Sequence, residues 1–220
     1  MISLFTHYQE PRSYEQAAKD LAWVDAMNKE IDALMLNNTW DFVDFPIGKK
    51  AISSKWVYKV KLNSDGSLER FKSQLVIRGF TQQDGVDYQE VFSPVVKMVE
   101  IISIITLAAS KGSDLFQPYV NNGFLHKDLD EEVYMKVPKG IPNPSNKVCR
   151  LKKSLYGLKQ ASRHWFSKLN STLVSLGYQQ SKNDYSLFIN KCSTSITIII
   201  VYVDDILIIG SGKVEIDHVK

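Results

Sequence analysis

Cysteine is scarce in this chain. Cys149 and Cys192 are the two among 220 residues; they form no metal-ligand spacing and suggest a reducing compartment rather than a disulfide framework. Histidine is scarce as well: His7, His126, His164 and His218 are scattered, which argues against a zinc centre. A long uncharged apolar run is also missing. The nearest approach, Ile196 to Ile209, is interrupted by Asp204 and Asp205, so no membrane-spanning helix is expected. The N-terminus carries Glu10 and Arg12 early and has no apolar signal core. Internal repeats and low-complexity segments are absent. The net charge of +3 is compatible with a nucleic-acid partner without pointing to one. What remains, 44% apolar and 23% charged residues, suits one sizeable core with room for an attached lobe.

The most informative stretch is the interrupted run itself. Ile196–Val201 and Ile206–Ile209 are short and rich in β-branched residues, and Tyr202-Val203-Asp204-Asp205 lies between them. That pattern predicts a buried β-hairpin whose tip carries two adjacent carboxylates. An Asp-Asp turn on its own is ordinary solvated sequence. Two anions held at the end of an apolar hairpin cost several kcal/mol unless a cation neutralises them. Mg²⁺, a hard ion that takes carboxylates together with substrate phosphates, suits the position.

Upstream, Ser13 with Gln16 three residues on predicts a capping box, and Asp20 caps a second helix. Across this region Ala17, Leu21, Val24, Met27, Ile31 and Leu34 recur at helical spacing, ending near Asn37-Asn38. Trp40–Phe45 reads as a short strand. Lys55–Leu62 alternates, with Trp56, Tyr58, Val60 and Leu62 on one face and Lys55, Lys59 and Lys61 on the other. After the turn Asn63-Ser64-Asp65-Gly66, the return strand sets Arg70, Lys72, Gln74, Val76 and Arg78 against Phe71, Leu75 and Ile77. One face of this hairpin is therefore basic: a cradle for phosphates or a solvated surface, with spacing alone favouring neither.

Gly79–Pro94 reads as loop. Met98, Ile101, Ile102, Ile105 and Ala108 mark a helix ending near Gly112, and Leu115–Val120 a strand. Asp128–Glu132 reads as a solvated acidic loop and Pro138–Pro144 as a connection. Ala161–Leu176 forms a further helix with Trp165, Leu169, Leu173 and Leu176 on one side, closed by Gly177. Strands and helices without regular βαβ alternation predict an α+β fold.

Several blocks carry a resemblance to a family: Thr39-Trp40, Lys55-Trp56-Val57-Tyr58-Lys59, Asp65-Gly66, Phe71-Lys72, Gly85-Val86-Asp87-Tyr88, Phe92-Ser93-Pro94-Val95-Val96, Tyr156-Gly157-Leu158-Lys159-Gln160 and Tyr202-Val203-Asp204-Asp205. In this order they resemble the reverse transcriptase domain of Ty1/copia-type retrotransposons, from about Pro11 to the end. The resemblance implies the fingers and palm of a right-hand polymerase over residues 39–220, after a helical lead-in over 1–38, with the thumb and the RNase H region missing. It implies an RNA or DNA template-primer and deoxynucleoside triphosphates as partners, two Mg²⁺ ions, no membrane, and a cytoplasmic setting (a virus-like particle in the family).

Carried onto this chain, Asp204 and Asp205 match two of the family's three metal-binding carboxylates. The third belongs to a block reading Gln-(Leu or Met)-Asp-Val-Asn-Asn-Ala-Phe-Leu, which here reads Gln117-Pro118-Tyr119-Val120-Asn121-Asn122-Gly123-Phe124-Leu125. Tyr119 stands at the Asp position, and a neutral phenol supplies no negative oxygen there at neutral pH. Pro118 removes a ladder donor beside it. Gln74 and Ile102 stand where the family has Arg, Gly123 where it has Ala, and Lys127 where it has Gly. The resemblance places Phe124 against the sugar 2′-position, Gln160 against nucleotide and template, and Lys72 and Arg78 on the triphosphate. Each has an ordinary alternative, in core packing or a solvated surface. The expectation is a polymerase domain without activity; its rivals are a non-catalytic nucleic-acid-binding remnant and an open reading frame without a selected role. Later palm elements cover the hairpin in the family, so Ile196–Val201 and Ile206–Ile209 are expected to keep an uncovered apolar face or sheet edge.

Overall fold

The computed structural model describes residues 8–118, 123–126, 128–143, 146–192 and 195–211. Within them lie α1 (Tyr14–Ala17), α2 (Leu21–Leu36), β1 (Trp40–Val43), β2 (Ala51–Ile52), β3 (Ser54–Leu62), β4 (Leu68–Ile77), α3 (Met98–Ser110), β5 (Asp114–Phe116), β6 (Tyr134–Lys136), β7 (Val148–Leu151), α4 (Ala161–Ser175), β8 (Gln179–Gln180), β9 (Leu187–Lys191), β10 (Ile196–Tyr202) and β11 (Asp205–Gly210). Single 3-10 turns cover Gly79–Thr81 and Gly123–His126. The chain divides into two compact units, Met1–Gln89 with Asp128–Lys159, and Glu90–Lys127 with Gln160–Lys220. Among the described residues, no helix is long and apolar enough to cross a membrane.

In the first unit, the helix starts form where their caps were expected. Ser13 accepts from the Gln16 N–H at 3.3 Å and Asp20 from the Ala22 N–H at 2.9 Å. The Gln16 side chain, however, takes the Arg12 N–H rather than that of Ser13. Helix α2 then lays Trp23 and Met27 against Tyr58 of β3, with Trp56, Val60 and Phe71 packed around them. Trp23 meets Tyr58 and Phe71 edge-on at centroid separations of 5.4 and 4.7 Å, the geometry aromatic quadrupoles favour. Strands β3 and β4 pair antiparallel as a separate two-stranded sheet. The alternation read from sequence holds, since Ser73, Leu75 and Ile77 are buried while Lys55, Lys59, Lys61 and Arg70 are exposed.

A four-stranded sheet in the order β1-β7-β6-β2 completes this unit. Strands β2, β6 and β7 were not expected, and β1 stops at Val43, short of Phe45. The acidic stretch is not simply solvated either: Glu132 pairs with Lys49 at 2.6 Å and Asp128 with Lys153 at 3.5 Å. Where β4 ends, Gly79 passes so close to Gly157 that an added Cβ would lie 2.0 Å from the Gly157 oxygen. Nearby, the Ile77 N–H donates to the Tyr156 carbonyl at 2.7 Å.

The second unit is built on a sheet in the order β5-β11-β10-β9-β8. On one face Ile200 and Ile209 pack with Val96 and Ala108, joined by Ile101, Ile104, Leu187, Ile198 and Leu207. On the other, Ile199, Val201 and Ile208 are fully buried, and Phe166 of α4 packs on Phe188 of β9 at 6.1 Å. A sheet packed on both faces explains the consecutive apolar residues Ile198–Val201 and Ile206–Ile209, because both side-chain directions must be apolar. Each such side chain contributes about 1.5–3 kcal/mol by leaving water. The expected uncovered face or edge is corrected for most of the hairpin: β5 and β9 flank it and α3 packs on one face, while Ile196 stays 48% exposed.

Two more expectations change. Strand β5 covers Asp114–Phe116 rather than Leu115–Val120. It ends before Pro118, which has no N–H to donate to a ladder; Tyr119 and Val120 lie outside the described residues. The packed stripe of α3 is Ile101, Ile104 and Ala108, whereas Met98, Ile102 and Ile105 are exposed.

Candidate functional site

The carboxylates sit where the apolar ladder runs out. Strands β10 and β11 stay in register from Thr197 opposite Gly210 to Tyr202 opposite Asp205, which leaves Val203 and Asp204 as a two-residue loop. Val203 adopts φ +55°, a left-handed backbone that costs a β-branched residue about 1–3 kcal/mol and persists only where the surroundings enforce it. Part of that enforcement is visible: the Trp165 indole N–H of α4 donates to the Val203 carbonyl at 2.9 Å. Asp204 is half-buried and Asp205 exposed. The Gln117 side-chain amide, just past β5, lies 3.5 Å from Asp205 Oδ1.

These residues can hold a cation only in part. Two adjacent carboxylates fit one hard divalent ion that keeps waters and substrate phosphates as its other ligands. No group of three His, Cys, Asp or Glu side chains able to hold a metal occurs among the described residues. Tyr119, expected at a third carboxylate position, lies outside them, as do Asn121, Asn122 and Lys127.

Phe124 falls in the 3-10 turn that packs against α4 and is 4% exposed; Gln160 precedes the first turn of α4 and is fully buried. The Gln160 carbonyl accepts the His164 N–H at 3.0 Å. Asp204, Asp205, Phe124 and Gln160 thus share the second unit.

Lys72 and Arg78 belong to the first unit, on and just beyond β4. The strand register sets Lys72 opposite Lys59 and Arg70 opposite Lys61. Like charges directly across a ladder are destabilising, so the hairpin concentrates positive charge on one face. Lys72 is half-buried and Arg78 exposed. Two carboxylates answer part of this charge: Glu10 reaches Lys59 at 3.1 Å and Glu69 reaches Arg70 at 3.5 Å. The Glu10 carboxyl is held below its ordinary range, chiefly by the Val60 N–H and further by the Lys59 ammonium.

Sequence reasoning missed Trp165 as a donor to the turn, and missed Glu10 and Glu30 as caps on the basic hairpin. Glu10 Oε1 accepts the Val60 N–H at 3.0 Å, and Glu30 Oε1 accepts the Leu75 N–H at 3.2 Å. Both edges of the two-stranded sheet are thereby blunted by a carboxylate. A Glu at helical spacing on α2 carries no mark of this use.

Residues 37–220 match the family model described as reverse transcriptase (RNA-dependent DNA polymerase). The chain is 43% identical over 212 residues to the retrovirus-related Pol polyprotein from transposon RE2 of Arabidopsis thaliana, covering 95% of this chain and 15% of that protein. It is 44% identical over 205 residues to the corresponding polyprotein from transposon RE1 of the same plant, covering 92% and 14%. Against the polyprotein from transposon TNT 1-94 of Nicotiana tabacum it is 42% identical over 198 residues, covering 89% and 15%. The chain therefore spans about one seventh of the length of these relatives.

Proposed function

The chain belongs to the reverse transcriptase (RNA-dependent DNA polymerase) family in its copia-type retrotransposon form, and on that premise we propose that it is a polymerase domain whose nucleotidyl-transfer chemistry has been lost. The fingers correspond to the basic hairpin of β3 and β4, and the palm to the five-stranded sheet with its Asp-Asp loop. A helical lead-in over 1–38 precedes a polymerase domain over 39–220. The observation that carries the reading is the presentation of Asp204 and Asp205 at the end of a buried ladder, with Tyr119 where a third carboxylate belongs.

Nucleotide addition is an in-line phosphoryl transfer, and a divalent ion, Mg²⁺ in this reading, would supply charge stabilisation to it when bound. Asp204 and Asp205 would hold such an ion. Lys72 and Arg78 would contact the triphosphate, and the basic hairpin the template-primer. For Phe124 and Gln160, contact with the nucleotide requires that they become exposed when substrate binds. Losing one carboxylate ligand removes transition-state stabilisation worth several powers of ten in rate.

Primer extension tests this on a poly(rA) template with oligo(dT), in Mg²⁺ or Mn²⁺. Wild-type protein should extend no more than the Asp204→Ala, Asp205→Ala control, whereas Tyr119→Asp should extend measurably. Template-dependent extension by the wild type above that control would refute the loss of activity. A second reading, a non-catalytic nucleic-acid binder, is supported by the paired cations Lys59–Lys72 and Lys61–Arg70. It predicts weak binding without sequence preference that falls steeply with salt.

A further inference from the structure

The basic hairpin already holds an anion. Residues ahead of α1 run along the hairpin, where the Tyr8 ring meets Phe71 of β4 edge-on at 5.6 Å. Glu10 places one carboxylate oxygen 3.0 Å from the Val60 N–H and the other 3.1 Å from Lys59 Nζ. A backbone N–H and an ammonium converging on two oxygens of one anion is also how proteins grip a phosphate. Around this pair, Lys61, Arg70 and Lys72 leave the face with more cations than the carboxylates of Glu10, Glu30 and Glu69 offset.

The geometry points to a phosphate-oxygen subsite formed by the Val60 N–H and the Lys59 ammonium, in which the Glu10 carboxylate stands in for a backbone phosphodiester of nucleic acid and competes with it. The inference rests on the nucleic-acid-binding reading of this hairpin and adds to it a built-in competitor. Two features make displacement feasible. The pair is partly open to water, the Lys59 and Glu10 side chains being 63% and 38% exposed, and exposed ion pairs hold weakly. A polyanion that reaches Lys61, Arg70 and Lys72 at the same time gains contacts that a single carboxylate cannot match.

Glu10→Gln separates charge from structure, because its amide oxygen can still accept the Val60 N–H. The measurement is fluorescence anisotropy of labelled oligothymidylate across a salt series, with Asp25→Asn on α2 as a control that removes the same charge elsewhere. Glu10→Gln is expected to bind about threefold tighter or more at low salt. Its slope of log affinity against log salt should steepen by about 0.7, the value for one extra phosphate contact on a single strand. The gain should vanish in a Lys59→Ala background. Independently of any variant, the Val60 amide resonance of the wild type should shift on titration with the oligonucleotide.

A Glu10→Gln gain no larger than that of Asp25→Asn, a gain that survives Lys59→Ala, or an unmoved Val60 amide would each overturn the subsite. Inorganic tripolyphosphate serves as the second probe: if Glu10→Gln strengthens its binding and leaves the oligonucleotide unchanged, the nucleic-acid assignment is overturned in favour of a triphosphate. If the wild type and every variant fail to bind the oligonucleotide even at low salt, the broader nucleic-acid reading falls, and the subsite with it. If the wild type binds through this face and Glu10→Gln changes nothing, only the subsite falls.

Discussion

The Trp165 indole N–H and the Val203 carbonyl oxygen are 2.9 Å apart, and through this bond helix α4 grips the backbone of the loop that carries Asp204. The bond closes over 38 residues of sequence and ends on a backbone held at φ +55°. A strained loop needs such an anchor, because nothing local favours its conformation.

Trp165→Phe keeps an aromatic ring in the buried pocket but removes the donor. The expected loss is about 0.5–1.5 kcal/mol, the usual net value of one hydrogen bond, measured by urea unfolding. Amide exchange at Val203, Asp204 and Asp205 should accelerate while that at Ile199 and Ile208 stays slow. Uniform acceleration across the sheet would mean that packing was lost, not the anchor.

Gly157→Ala should damage the first unit severely. The new Cβ would lie 2.1 Å from the Ile77 carbonyl oxygen at a backbone of φ +91°, so a clash adds to conformational strain, and the loss should reach about 3 kcal/mol or more. Gly66→Ala supplies the contrast. Its φ is +85° with nothing within 4 Å, and it should lose only about 1–2 kcal/mol. Equal melting temperatures for the two variants would contradict this account.

Glu30 predicts a pH dependence. Burial raises its carboxyl above the ordinary 4.5, opposed in part by the Leu75 N–H and the Lys72 charge. A raised folded-state value means that stability is fullest below the unfolded value and declines as pH rises through the folded one. Glu30→Gln keeps an acceptor for Leu75 and abolishes the titration. Its melting temperature should exceed that of the wild type near neutral pH, and the gap should close once the pH drops below the ordinary value of 4.5. A gap that persists in acid would place the cause elsewhere.

The two cysteines should differ sharply toward Ellman's reagent. Cys149 is fully buried, and burial pushes its thiol up to about 12, leaving almost no thiolate at mildly alkaline pH. Cys192 is exposed. Native protein should titrate rapidly as one thiol, and the second should appear only on unfolding. Two fast thiols would show that the interior opens readily.

Much of this molecule was legible because its signals are local. The alternation of Lys55–Leu62, the Ile/Val runs on either side of Asp204 and Asp205, and the caps Ser13 and Asp20 each act within a few residues. Strands β6, β7 and β8 left no such trace. Val148–Leu151 is short and pairs with Trp40–Val43, more than 100 residues earlier, and Gln179-Gln180 joins its sheet through backbone bonds with no apolar pattern. In the site, the two carboxylates could be read from sequence, but the Trp165 anchor and the Glu10 and Glu30 caps could not. A hydrogen bond to a distant backbone atom leaves no periodicity. The α3 stripe was misassigned because Ile101, Ile102, Ile104 and Ile105 offer two apolar faces, and only packing chooses between them.

A loop of two residues between β10 and β11 has no slack, so the ladder serves as a ruler. Apolar substitutions along Thr197–Val201 or Ile206–Ile209 change volume yet keep the count, and Asp205 stays opposite Tyr202. Inserting or deleting one residue in either strand changes the count, which would turn Asp205 to the opposite side of the sheet unless the loop absorbed the step. Frame-preserving insertions and deletions in this hairpin should therefore be far less tolerated than substitutions, however conservative the inserted residue.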